Sequence, residues 1–269
     1  MKSPLKWAGG KAYLMTANPP APLARHLSGY QQIIEPFVGS GTVFLNLNYE
    51  SGIISDVNPD LIAFFLAVRD DSFFIEEAES LWQTNDKTEY LEIRSRFNQE
   101  KLPTQFLYLN RHSFNGLCRY NKSGGFNVPW GQYKSPYFPE KELQFLAYKL
   151  KGFDIRCCDF IEAMRLATAG SVVYCDPPYA PINNTSDFTG YAAGGFSLSQ
   201  HEAMVVEAEH LSSCGVKVVI SNNDTEFTRN LYRNASELHE FEAGRSIAGN
   251  GDHRRKEKEL LVVYEPKTS

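Results

Sequence analysis

The sequence predicts an α/β protein, with an open, mostly parallel sheet that is interrupted by a mainly helical insert. Six short apolar runs, rich in β-branched residues and bounded by Gly, Pro, Asp or Asn, are typical of buried parallel strands. They are QIIEPF (32–37), SGIISD (51–56), FDIRC (153–157), SVVYC (171–175), VKVVIS (216–221) and ELLVVY (259–264). Helical patterns separate several of these runs, and the alternation of strand and helix favours an open α/β sheet.

The insert is predicted between the second and the later strands. From about residue 60 to residue 151 no strong strand pattern appears, and apolar residues recur at helical spacing, as in Leu61, Phe64, Phe65 and Val68. The segment CRYNKSGGFNVPW (118–130) then predicts a β-hairpin whose two short arms meet at Ser123–Gly125. Pro139 is expected to begin a further helix that ends near Gly152.

Two helices are predicted after the fourth strand. Ser199 and Glu202 have the spacing of a capping box, an apolar helical pattern follows them, and Gly215 stands just past its end. Asp224 is expected to cap a shorter helix before the last strand.

Composition and charge restrict the class of protein. The net charge of −5 argues mildly against a general nucleic-acid binder, but residues 101–151 contain eight basic and only two acidic residues. A basic segment on an acidic chain fits a localised phosphate-binding face, although a solvated charged surface gives the same pattern. The five cysteines lack C-x-x-C spacing, so neither a disulfide framework nor a cysteine zinc site is indicated. The longest apolar run (61–68) is too short to cross a bilayer and the N-terminus lacks a signal-peptide core, so we expect a cytoplasmic protein.

The segment EPFVGSGTVF (35–44) predicts a ligand-binding turn between a strand and a helix. Gly39 and Gly41 allow a ligand to approach the backbone at the carboxyl edge of the sheet, where such folds bind nucleotides. The third glycine of the dinucleotide pattern is absent, because Phe44 occupies its position. Asp56 closes the next strand and is suited to accept hydrogen bonds from ribose hydroxyls. Both features also occur as ordinary turn and cap residues.

The sharpest motif is Asp176-Pro177-Pro178-Tyr179, at the end of an apolar strand. The prolines donate no hydrogen bonds, so the Asp176 carboxylate and the Pro177 carbonyl offer two acceptors. Two acceptors suit a substrate –NH2 group, and Tyr179 offers a ring on which a flat heterocycle can stack. The motif therefore favours alkylation of an exocyclic amine, although Asp-Pro also occurs in plain turns.

With KWAGGK (6–11) and EPFVGSG (35–41), this motif resembles the Dam family of DNA adenine-N6 methyltransferases, in the order of the family's α group (D12 class). LNRHSFNGLCRYN (109–121), FNVPWGQYKSPYFPE (126–140) and FTGY (188–191) are also similar to Dam segments, so the resemblance covers nearly the whole chain. It implies a Rossmann-like S-adenosylmethionine-dependent methyltransferase sheet (residues 1–59 and 143–269) with an inserted DNA target-recognition domain (residues 60–142) that carries the hairpin.

The resemblance also implies roles for individual residues. Catalysis falls to Asp176, Pro177 and Tyr179. The cofactor-binding positions are Trp7, Lys11, Glu35, Phe37, Gly39, Gly41, Asp56 and Asp176. The DNA-binding positions are Lys6, Arg111, Phe114, Asn115, Leu117, Arg119, Pro129 and Tyr133.

Within the DNA-binding set, Phe114 is expected to insert beside the target, and Asn115, Leu117 and Arg119 to read the bases of GATC. Arg119 can pair with guanine N7 and O6, and Leu117 can contact a thymine methyl group. Without the resemblance, Phe114 and Leu117 would be assigned to the core. The sequence departs from close relatives at Gln132, where they carry Arg, which predicts a weaker phosphate or flanking contact.

The expected reaction is direct methyl transfer to N6 of an adenine flipped out of duplex DNA, with GATC as the expected target sequence. Neither a metal, a covalent intermediate nor an obligate protein partner is needed. Two alternatives stay open at this point. One is methylation of RNA bases or of a protein glutamine amide, and the other is a DNA-binding regulator on an inactive methyltransferase fold.

Overall fold

A seven-stranded sheet forms the centre of the computed structural model, which describes residues 1–7, 9–16, 22–180, 196–244 and 256–267. The strands are β1 (Gln32–Glu35), β2 (Gly52–Asp56), β3 (Phe153–Cys157), β4 (Ser171–Cys175), β5 (Lys217–Asn223), β6 (Glu237–Gly244) and β7 (Lys256–Tyr264). Their order in the sheet is β3-β2-β1-β4-β5-β7-β6. The first five pair in parallel, whereas β7 is antiparallel to both of its neighbours. The predicted α/β class and all six predicted strands are confirmed.

Strand β6 was not predicted, because it lies at the edge of the sheet and has no fully buried side. Its residues Glu237, His239 and Phe241 are partly buried, while Leu238, Glu240 and Glu242 are exposed. The segment ELHEFEAG therefore lacks the apolar run by which the other strands were found.

Successive residues of each buried strand point to opposite sides of the sheet. Because both sets are apolar, both faces of the sheet are covered by helices. One face, which includes Ile33, packs beneath α1 (Ala12–Thr16), α2 (Pro22–Leu27), α3 (Thr42–Asn46) and the insert. The other face, which includes Ile34, packs against α9 (Phe160–Met164), α10 (Leu198–Ser213) and α11 (Glu226–Leu231). In the described part of the chain, no helix has both the length and the apolar character that a bilayer crossing requires.

The insert consists of α4 (Pro59–Asp70), α5 (Phe74–Ser80), α6 (Lys87–Glu100), α7 (Pro103–His112) and α8 (Glu140–Leu150). Helix α4 contacts β2 and β3 as well as α7 and α8. The buried Tyr90, Phe97 and Phe106 of the insert belong to the same apolar core as Ile33 of the sheet. The insert is therefore built onto the sheet without a separate core, and the domain limits at residues 60 and 142 stay a prediction.

The predicted hairpin is present as a tight antiparallel turn. Asn121 N–H donates to the carbonyl of Gly125 at 2.8 Å, and Asn127 N–H donates to the carbonyl of Arg119 at 3.1 Å. The arms form isolated bridges, one of them between Tyr120 and Phe126, and no regular strand.

Two helix starts differ from the prediction by one or two residues. The capping box of α10 uses Ser197 and Gln200, whose side chains bond each other's backbone N–H, so the predicted Ser199 lies inside the helix. Thr225 caps α11, and the predicted cap Asp224 pairs with Arg229 at 2.6 Å. In both cases more than one residue near the helix start belongs to the types that favour N-caps, so the sequence alone does not select one. Pro139 stands at the start of α8 as predicted.

Candidate active site

The site lies where the order of the strands reverses. Strands β1 and β4 are neighbours, but the chain continues from β1 to β2 on one side and from β4 to β5 on the other. Such a reversal opens a crevice at the carboxyl edge of a parallel sheet. Glu35 ends β1 and Asp176 follows β4, so the structure brings the glycine turn and the Asp-Pro-Pro-Tyr motif side by side.

The turn after β1 requires its glycines. Gly39 and Gly41 have φ values of 48° and 74°, in the left-handed region that other residues rarely adopt. A Cβ on Gly39 would lie 3.0 Å from Trp7 Nε1, and one on Gly41 would overlap the ring of Phe44. The Gly39 N–H donates to Asp56 Oδ2 at 3.2 Å. Trp7, both glycines and Asp56 therefore lie together around this turn, and their role in cofactor binding stays a prediction.

Lys11 and Asp176 form an ion pair at the centre of the site. Lys11 Nζ lies 2.7 Å from Asp176 Oδ1 and donates to Oδ2 at 2.8 Å and to the Gly9 carbonyl at 2.8 Å. The lysine is 4% exposed and the aspartate 22%. Burial raises the pKa of Asp176, and Lys11 opposes the rise. Lys11 Nζ therefore lies close to both carboxylate oxygens, but Oδ1 has no hydrogen-bond partner among the described residues.

Tyr179 is held by an acid that the sequence did not reveal. The hydroxyls of Tyr179 and Tyr13 both donate to Glu259 Oε2, each at 2.7 Å. Glu259 is 5% exposed, and its charge contributes to the raised pKa of Asp176. Lys11 Nζ lies 4.8 Å from the Tyr179 ring centroid. The only signal for Glu259 was an acid at the start of the apolar run ELLVVY.

The end of the motif is fixed by two asparagines at the end of β5. Ala180 N–H donates to Asn222 Oδ1 at 3.3 Å, and Asn223 Nδ2 donates to the Ala180 carbonyl at 2.7 Å. All three residues are buried. These contacts set the path of the chain after Tyr179, and sequence reasoning did not single them out.

Glu35 is a buried carboxyl group near Asp176 of the Lys11–Asp176 ion pair. It is 2% exposed, and its Oε1 atom has no hydrogen-bond partner among the described residues. Burial and the nearby Asp176 raise the pKa of Glu35 well above its ordinary value. An unpartnered acceptor in the crevice is a feature that a bound polar ligand would satisfy.

A cavity of about 90 Å³ adjoins the turn on the side of β2. Its walls include Phe37, Phe160 and Phe196. The Phe37 ring stacks on the Phe160 ring, with 5.4 Å between the ring centroids. Asp56 and Asp159 bring carboxylates to the same space. Aromatic walls with acceptor groups suit a flat, polar heterocycle. Asp159, Phe160 and Phe196 were missed because they lie far along the chain from the glycine turn that they face.

A second cavity, of about 160 Å³, is lined by Glu209, Ser212 and Tyr264 among others. None of the predicted site residues lines it.

Lys6 connects this site to the insert. Its backbone N–H donates to Asn110 Oδ1 and its carbonyl accepts from Asn110 Nδ2, both at 2.8 Å. Its Nζ donates to the Arg111 carbonyl at 3.2 Å and lies 3.9 Å from the Tyr133 ring centroid. Burial and the charge of Arg111 lower the pKa of Lys6 to about 8. Three predicted DNA-binding residues, Lys6, Arg111 and Tyr133, therefore lie together.

The other predicted DNA-binding residues lie around the hairpin. Phe114 is 47% exposed, and Asn115 beside it is exposed in the left-handed conformation, with φ 53°. Arg119 and Pro129 are also exposed, whereas Leu117 is partly buried against the core. An exposed phenylalanine on a basic segment contradicts the core assignment that composition alone would favour.

Two further positions belong to this account. Gln132 is exposed, with φ 56°. The FTGY segment (188–191) lies outside the described residues.

Comparison with known proteins identifies the family. Residues 7–247 match the family of D12 class N6 adenine-specific DNA methyltransferases. The chain is 46% identical over 273 residues to a DNA adenine methylase of Vibrio cholerae, with 98% of this chain and 96% of the relative covered. It is 43% identical to the DNA adenine methylase of Escherichia coli K12, with 97% and 95% covered. Among solved structures, a putative RNA methyltransferase from Pyrococcus horikoshii matches 97% of this chain and 92% of its own, at 8% identity and a TM-score of 0.42, which is too distant to bear on function. The chain therefore belongs to the D12 class of N6 adenine-specific DNA methyltransferases.

Proposed function

We propose that this enzyme transfers the methyl group of S-adenosylmethionine to N6 of an adenine that is flipped out of duplex DNA, in the sequence GATC. The observation that carries the proposal is the juxtaposition of the Lys11–Asp176 pair and Tyr179 with the glycine turn, at the reversal point of the sheet.

The crevice fits the proposed cofactor. The open backbone at Gly39 and Gly41 admits a ligand, and the aromatic cavity at Phe37 is suited to its adenine ring. Asp56 is positioned to accept hydrogen bonds from ribose hydroxyls, and the unpartnered Glu35 can accept from a polar group of the ligand. When bound, S-adenosylmethionine supplies an electrophilic methyl group.

Asp176 is the group that holds the target amine. Its carboxylate and the Pro177 carbonyl accept the two amine hydrogens, which directs the nitrogen lone pair away from them. Lys11 donates its hydrogen bond to Oδ2, whereas Oδ1 has no hydrogen-bond partner among the described residues, so Oδ1 is available to accept one amine hydrogen. Orientation of this kind corresponds to roughly 7–11 kcal/mol of barrier lowering in favourable cases.

Tyr179 provides the stacking surface for the extruded base. Its hydroxyl is tied to Glu259, so the ring plane is fixed before the base arrives. Base–aromatic stacking contributes roughly 1–3 kcal/mol, which offsets much of the few kcal/mol that extrusion costs. The base must leave the helix because the amine cannot otherwise reach Asp176.

The hairpin and its surroundings read the DNA. Arg119 is exposed and held by Asn127 at 2.9 Å, which presents its guanidinium for a bidentate contact with guanine. The exposed Phe114 is suited to wedge into the base step beside the target. The choice of GATC follows from the resemblance of this segment to Dam enzymes.

A methylation assay tests the proposal. Unmethylated plasmid is incubated with the protein and S-adenosylmethionine, then cut with nucleases that distinguish methylated from bare GATC. We expect the wild type and Asp154→Asn, an exposed acid on β3, to protect the sites, and Asp176→Ala to bind DNA without protecting them. Full activity of Asp176→Ala, or labelling of RNA or protein in place of DNA in parallel reactions, would refute it.

A further inference from the structure

A cluster of side chains that could bind a metal ion lies away from the active site, between α2 and the edge strand β6. Helix α2 contributes His26, and β6 contributes Glu237 and His239. One ligand atom from each lies within 4.8 Å of the others. The two imidazole rings are 4.9 Å apart between centroids. None of these residues has a role in the proposed methyl transfer.

The backbone places the three groups on one side of the sheet edge. Glu237 and His239 are two residues apart on a strand, so their side chains share a face. His26 meets them from the helix that covers this face and is 5% exposed. Glu237 and His239 are 42% and 38% exposed, which leaves an entry path from solvent.

Two contacts bear on cation binding. His239 Nε2 lies 2.7 Å from Glu237 Oε2, and this is the contact that an ion would replace. Lys217 brings a positive charge to the surroundings of His26, but its Nζ is paired with Glu265 Oε1 at 2.6 Å.

We propose that His26, Glu237 and His239 bind one Zn²⁺ ion, which fastens β6 to α2. Two imidazoles and a carboxylate are a common ligand set for zinc, with a water in the fourth position. Bonds of about 2.0–2.2 Å place tetrahedral ligand atoms roughly 3.3 Å apart. Binding therefore requires ligand atoms that now lie within 4.8 Å of one another to adjust to this spacing, and the ion replaces the His239–Glu237 hydrogen bond.

The test is metal binding by the full-length protein after chelator treatment. Zn²⁺ alone is titrated calorimetrically, thermal unfolding is followed with and without Zn²⁺, and Co²⁺ serves as a spectroscopic probe. The ligand variants are His239→Gln, at a half-exposed position where folding is not at risk, and His26→Gln. The matched control is His210→Gln, which removes an imidazole that lies 3.9 Å from the Cys214 thiol.

We expect one Zn²⁺ per chain, a higher melting temperature with Zn²⁺, and a cobalt spectrum without sulfur-to-metal charge transfer. His239→Gln should weaken binding on the order of 100-fold, as the loss of a group that orients a metal ligand already costs 10–100-fold. His210→Gln should leave the affinity unchanged. The proposal is overturned if wild-type protein shows no saturable binding, if His239→Gln binds as tightly as wild type, or if cobalt reports thiolate ligands.

Discussion

Glu259→Gln tests whether Glu259 positions the base-stacking ring. The substitution keeps the size of the side chain but removes the negative charge to which Tyr179 and Tyr13 donate. Hydrogen bonds to a charged acceptor contribute about 1.5–3 kcal/mol, and those to a neutral one about 0.5–1.5 kcal/mol. The bond to Tyr179 should therefore weaken by about 1 kcal/mol, which corresponds to about a fivefold fall in kcat/KM.

The same substitution has an electrostatic consequence that a purely structural role would not produce. The charge of Glu259 raises the pKa of Asp176, so its removal lowers that pKa. Because the carboxylate form of Asp176 accepts the amine, the acid limb of the pH profile should move to lower pH. Tyr179→Phe removes the same hydrogen bond without changing the charge, so it should lower kcat/KM to a similar extent and leave the acid limb in place.

The assay combines steady-state methylation of duplex DNA between pH 5 and 8 with the fluorescence of 2-aminopurine at the target position, which reports base extrusion. In the Tyr179→Phe background, Glu259→Gln should cost much less in kcat/KM than it does alone, because the bond is already gone. Glu240→Gln, an exposed acid on β6, is the matched control. Equal losses in both backgrounds, together with an unmoved acid limb, would refute the positioning role.

Three further predictions concern other groups of the site. Glu35 has a folded pKa above 4.5, so the stability that its protonated form contributes is present at low pH and lost as the pH rises through that pKa. Urea unfolding should therefore show that Glu35→Gln gains stability relative to wild type between pH 5 and 8, and a constant difference would contradict this. Arg119→Ala should lose about 1–3 kcal/mol of discrimination at one guanine, measured by methylation of substituted sites, and unchanged discrimination would remove Arg119 from the readout. DNA binding by the wild type should weaken above pH 8 as Lys6 loses its charge, whereas Lys6→Met should not show this loss.

The fold could be predicted from the sequence wherever a strand is buried on both faces of the sheet. Strands such as SVVYC are continuous apolar runs because helices cover both faces, and the sequence records this directly. Edge strand β6 has no such pattern, because Leu238, Glu240 and Glu242 are exposed. Helix starts were uncertain to one or two residues for a different reason: Ser197 and Ser199 each have a Gln or Glu three residues later, so both fit a capping box and the sequence does not choose between them.

The candidate site was predictable where one segment carries several functional groups. The glycine turn and the Asp-Pro-Pro-Tyr motif are each contiguous in sequence, and the structure brings them together. Glu259 and Phe196 were missed because each acts singly, from an element that reaches the site only through the order of strands and helices. A buried acid looks like any other acid until its tyrosine partners are placed beside it.

Two hydrogen bonds join the side chain of Asn110 to the backbone of Lys6. They connect the N-terminal segment to the loop that is proposed to read the bases, and the same segment carries Lys11 of the proposed catalytic pair. Helix α7, which carries Asn110, leads directly into the loop that presents Phe114. Lys11, five residues after Lys6, forms the ion pair with Asp176. If the loop reads DNA as proposed, its misplacement on an incorrect site is expected to be transmitted along this segment to the carboxylate, so that methyl transfer as well as binding would depend on the target sequence.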